Sequence, residues 1–107
     1  MSLYWFPDNT VLCNFASVSA LCLLETVLRG RGRWVEAIES EAAASARFYP
    51  DLAGIARAGW LGDPIEITAL AEVEQIERTR RAVFGGSPNE PLKHLGEAQT
   101  CFVILNR

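Results

Sequence analysis

A chain of 107 residues and 11.8 kDa has room for one small hydrophobic core. Half of its residues are hydrophobic and 21% are charged, which excludes a disordered or collagen-like chain. A formal charge of −3 gives no global positive field for nucleic acid, and the most apolar stretch, Val11 to Leu24, runs into Glu25 too soon to cross a membrane.

That stretch also lacks a basic leader, and Asp8 precedes it, so a secretory signal is not expected. The cysteines are Cys13, Cys22 and Cys101, an odd number with no Cys-x-x-Cys pair. They argue against a disulfide framework or a structural zinc site, and the expected location is a reducing cytoplasm.

Leu3-Tyr4-Trp5-Phe6-Pro7 reads as a short buried strand, aromatic, apolar and ended by proline. Asp8-Asn9-Thr10 follows as a polar cluster at its carboxyl end. Asn14 is placed to cap a helix from about Phe15 to Leu28, apolar on nearly every face. Such a helix is expected to be deeply buried or to form an oligomer interface. Arg29-Gly30-Arg31-Gly32-Arg33 makes a basic turn, and a second helix runs from about Trp34 to Phe48. Pro50 opens a third, from about Asp51 to Ala58, which Gly59 and Gly62 end. Ile65-Glu66-Ile67-Thr68 alternates like a second strand. A long amphipathic helix then carries Leu70, Val73, Ile76, Val83 and Phe84 near one face, with Glu77 and Arg81 spaced to pair outside. After the loop Gly85 to Asn89, a last helix starts near His94 to Gly96. Strands alternating with helices predict an α/β fold with a parallel sheet.

Three of the thirteen acidic residues stand apart. Asp8 lies just past the first predicted strand, at the end where open α/β sheets bind ligands. Glu41 interrupts an alanine-rich stretch of the second helix, and Glu97 lies in the first turn of the last. Converging carboxylates are hard oxygen ligands suited to Mg²⁺ or Mn²⁺. Each also has a plainer role: Asp8 caps the adjacent turn, Glu41 is a solvated helix glutamate, and Glu97 complements a helix dipole.

The phrase Phe6-Pro7-Asp8-Asn9-Thr10-Val11-Leu12 resembles the opening motif of the PIN-domain family. The segment Trp34-Val35-Glu36-Ala37-Ile38-Glu39-Ser40-Glu41 is similar to the stretch bearing that family's second acid, and His94-Leu95-Gly96-Glu97-Ala98 to the helix start bearing its third. The resemblance implies a single domain over residues 1–107, built as a three-layer α/β/α arrangement around a parallel sheet. It implies that Asp8, Glu41 and Glu97 hold Mg²⁺ or Mn²⁺ and that activated water attacks an RNA phosphodiester. Thr10 would help order the site through its hydroxyl. Many small bacterial members are VapC-like toxins of type II toxin–antitoxin pairs, so the implied partners are an RNA substrate, an antitoxin protein and a second copy of the chain. The family's fourth acidic position comes later, in a Thr-Asp-Asp-like motif that this sequence does not contain, along with the last strands. The sequence therefore reads as the amino-terminal portion of such a domain. Glu39, two residues before Glu41, projects elsewhere on a helix, and Glu41 fits the family pattern better. The alternative is a catalytically incomplete remnant that acts as a dimerisation or protein-binding module.

Overall fold

The computed structural model describes residues 3–106. Helix occupies 59% of them and strand 4%, and no sheet forms among them. The expected three-layer α/β/α architecture is therefore corrected: this chain is a helical assembly with two isolated parallel bridges.

The first helix, α1 (Asn9–Ser17), begins six residues earlier than the apolar pattern suggested. Asp8 is its N-cap, and Asp8 Oδ1 accepts the N–H of Val11 at 2.9 Å, so the helix starts immediately after the proline turn. Ser19 at φ 57° breaks the apolar run, and α2 (Leu21–Leu28) follows. The single long helix expected over this region is thus two helices. Leu12, Ala16, Leu24 and Leu28 are buried, whereas Val18, Leu23 and Val27 remain 55–71% exposed. Arg29 and Gly30, both with positive φ, turn the chain back.

Where strands were expected, each segment makes one bridge. Trp5 N–H donates to the Arg31 carbonyl at 2.9 Å, and Arg33 N–H donates to the Trp5 carbonyl at 2.8 Å. Likewise Ile65 N–H donates to the Trp34 carbonyl at 2.9 Å, and Glu36 N–H to that of Ile65 at 3.1 Å. A sequence's β-propensity measures its fit to a pleated, half-buried surface, and neighbours must supply that surface. Here each segment has one partner, the turn at Gly32 for Trp5 and the extended N-cap Val35 of α3 for Ile65. Leu3, Tyr4 and Trp5 are accordingly 50–58% exposed rather than buried. Of the second expected strand, Ile67 is buried but takes no part in a bridge.

The helix α3 (Glu36–Ser45) lacks a side-chain cap of its own. Gln99 supplies a substitute: its Oε1, buried, accepts the N–H of Ala37 at 3.1 Å. Pro50–Gly54 form a 3₁₀ turn that runs into the one-turn helix α4 (Ile55–Ala58), and Gly59 at φ 79° ends it. The last two helices, α5 (Leu70–Ala82) and α6 (Leu95–Asn106), pack against each other, and α6 also packs against α3. Leu12, Val35 and Leu61 are fully buried at the centre of the core, with Trp34, Ile38, Ile55, Ile76 and Phe102 around them. No helix among the described residues is long and apolar enough to cross a membrane.

Candidate metal centre

Three elements deliver the acids. Asp8 caps α1 and is exposed, Glu41 sits in the middle of α3 and is half-buried, and Glu97 is exposed in the first turn of α6. The close approach of α3 to α6 is made possible by Gly96. A Cβ at that position would collide with Glu41 Oε2 and with the Cδ1 of Ile38. The Glu41 carboxylate therefore lies against the α6 backbone, one residue from Glu97.

Glu41 Oε2 is buried and has no hydrogen-bond partner. A second buried acceptor, Asn9 Oδ1, is also without a donor. The Asn9 amide donates instead to Ser45 Oγ at 3.0 Å, one helical turn along α3 from Glu41. Buried oxygens without donors are uncommon, and each one invites an occupant. Burial is the main force that pushes the Glu41 carboxyl above the usual carboxylate range, and the negative charges of Glu97 and Asp8 push it further. The field of His94 acts against them.

Carboxylate chemistry and a donor-poor buried oxygen fit a hard divalent cation. The side chains do not converge around a single point as they stand. Among the described residues, no group of three His, Cys, Asp or Glu side chains is placed to share one ion. Asp8 and Glu97 line a hollow of about 360 Å³, whereas Glu41 lines another of about 300 Å³. Binding an ion at all three requires the exposed Asp8 and Glu97 side chains to turn toward Glu41. Glu39 lines a different hollow, beside Trp34 and Leu52, so Glu41 is the α3 acid packed against α6. Thr10 is exposed, and its hydroxyl makes no hydrogen bond among the described residues.

His94, which the sequence marks only as the start of the last helix, has its Nδ1 2.7 Å from Glu97 Oε2. The i,i+3 spacing of His94 and Glu97 was the available signal. His94 has φ 63° and its ring stacks on Phe84 with centroids 6.5 Å apart. The loop leading to it is held from beneath by Arg80, a fully buried side chain. Arg80 pairs with Glu77 through Nε (2.8 Å) and Nη2 (2.6 Å). It also donates to the carbonyls of Ser87, Glu90 and Lys93 at 3.0–3.2 Å. The amphipathic pattern of α5 gave no hint that an arginine would occupy its buried face.

No protein-family model, no curated protein and no solved structure matches this chain.

Proposed function

We propose that the chain is a divalent-metal-dependent endoribonuclease of the PIN type, with Asp8, Glu41 and Glu97 as the ligands. The observation that carries this reading is the buried, donor-less oxygen of Glu41 in the combined field of two further carboxylates. The resemblance of the three acid-bearing segments to PIN motifs, in order, supports it. When bound, Mg²⁺ or Mn²⁺ supplies activation of water and charge stabilisation at the leaving oxygen. The chain's own residues prepare the place. Gly96 and Gln99 set the spacing of α3 and α6, and His94 orients the Glu97 carboxylate. Burial and the charges of Glu97 and Asp8 disfavour the Glu41 carboxylate, and a cation held there would offset them. The reading places the protein in the cytoplasm with RNA as substrate and an antitoxin protein as its neutralising partner.

The test is cleavage of a labelled single-stranded RNA with Mn²⁺ or Mg²⁺, compared between the wild type and Asp8→Asn. Metal-dependent cleavage lost in the variant is the expected result. Cleavage at the parent rate in Asp8→Asn overturns the site.

A second reading has its own observation. Leu23 and Val27, one turn apart on α2, are 55% and 63% exposed, and Val18, the C-cap of α1, is 71% exposed. An apolar stripe of this kind suits association, and a protein-binding or dimerisation module would use it. A dimeric mass by light scattering at micromolar concentration, without metal-dependent cleavage, favours that reading.

A further inference from the structure

A groove of about 740 Å³ opens beside the acids, lined by Tyr4, Phe6, Arg33 and Trp60, with Val103 and Gly62 among its other residues. Its volume falls in the range of ligand-binding clefts. Resting on the ribonuclease reading above, we propose that this groove is the substrate-strand subsite, in which bases of single-stranded RNA stack on Tyr4 and Trp60.

Four observations converge on it. The Arg33 guanidinium already lies over the Tyr4 ring, 4.5 Å from its centroid, and Arg33 Nη1 donates to the carbonyls of Gly30 and Gly32. The groove therefore presents a fixed cation over one face of the Tyr4 ring, and Tyr4 is still 50% exposed. Bases stack on such faces whatever their identity. Arg29 and Arg31 are exposed on either side of Gly30, which lines the groove, in a chain whose net charge is −3. The one carboxylate on the lining is that of Asp63. A polyanion with flat apolar bases is complementary to this pairing of arginines and rings, whereas an apolar peptide strand leaves the arginines unmatched. Finally, Phe6 lines both this groove and the hollow of Asp8 and Glu97. A strand stacked on Tyr4 and Trp60 is thus led past Phe6 toward the acids. Duplex RNA offers no unstacked base to the groove.

The test uses the full chain in EDTA, so that binding is read without cleavage, and a labelled oligouridylate as the probe. Binding should quench tryptophan fluorescence and weaken with salt, with a log–log slope of about −2 for three phosphate contacts. Tyr4→Ala, an exposed position, should weaken binding about tenfold. Trp60→Phe retains a stacking ring, so it should abolish most of the quenching while changing affinity by less than about threefold. A blunt duplex should not compete. Equal affinity in Tyr4→Ala, quenching that persists in Trp60→Phe, or competition by duplex overturns the subsite. So does a dimer whose mass and fluorescence the oligonucleotide leaves unchanged, which would assign the groove to a second copy. The two proposals fail separately. Groove binding without Mn²⁺-dependent cleavage removes the metal reading and keeps the subsite; cleavage without groove binding does the reverse.

Discussion

Gly96→Ala probes the α3–α6 contact at the position where the acids meet. The added methyl would be driven into Ile38 Cδ1 and Glu41 Oε2. These two neighbours respond differently. Ile38 is 2% exposed and has nowhere to go, whereas the half-buried Glu41 can swing outward. Overpacking of a tight core site costs about 1–3 kcal/mol. Replacing glycine by alanine within a helix returns up to about 1 kcal/mol. With the full offset the net loss should therefore be about 0–2 kcal/mol, and each kcal/mol lowers the Tm of a small domain by about 4–8 °C. Differential scanning calorimetry should show a fall of up to about 16 °C. Because Glu41 is the neighbour that yields, Mn²⁺ affinity should fall more than stability does. Gly54→Ala is the control: nothing lies within 4 Å of its added Cβ, and its backbone is ordinary right-handed helical, so Tm should hold or rise slightly. Wild-type Tm and wild-type Mn²⁺ affinity in Gly96→Ala would refute the close approach on which the site is built.

Asp8 combines a helix cap with a carboxylate charge, and two substitutions separate them. Asp8→Asn keeps the cap and should leave Tm almost unchanged while weakening Mn²⁺ binding; Asp8→Ala should also lose about 1 kcal/mol of stability by urea denaturation. Glu77 is held at about 2, well below its ordinary 4.5, chiefly by its hydrogen bonds to Arg80, with Arg81 adding to the effect. A depressed carboxylate stabilises the fold above its unfolded value and loses that contribution as pH falls through its folded value. The Tm gap between wild type and Glu77→Gln should accordingly be full above about pH 5 and close toward about pH 2. A gap independent of pH would contradict the ion pair.

The sequence discloses its helices better than its strands for a physical reason. Helix signals are local: the 3.6-residue pattern places α5 and α6, Pro50 opens the 3₁₀ turn, and Gly59 ends α4. Strand formation depends on partners distant in sequence. Leu3 to Phe6 and Ile65 to Thr68 have suitable residues, but each contributes a single bridge. α1 starts earlier than its apolar run because Asp8 caps a helix rather than a turn, and the polar Asn9-Thr10 step separates that cap from the first apolar residue. The break at Ser19 has no strong sequence signal, since it lies at an ordinary serine in the left-handed region. The acids of the candidate site were legible as residues and not as geometry. Only the packing shows that Glu41 rather than Glu39 lies against the α6 backbone beside Glu97, that Gly96 allows it, and that Gln99 and Arg80 fix the elements on either side. Long-range polar contacts such as Gln99 to Ala37 leave no periodic trace in the chain.

The decisive measurement is calorimetric titration of Mn²⁺ into the wild type and Glu41→Gln at pH 7. Folding raises the Glu41 carboxyl, so its charged form costs stability as pH rises beyond the ordinary 4.5, and Glu41→Gln should melt above the wild type at neutral pH. Despite that gain, the variant should bind Mn²⁺ at least about tenfold more weakly. Equal affinity in the two proteins, or no saturable binding by the wild type, contradicts a metal site at Glu41.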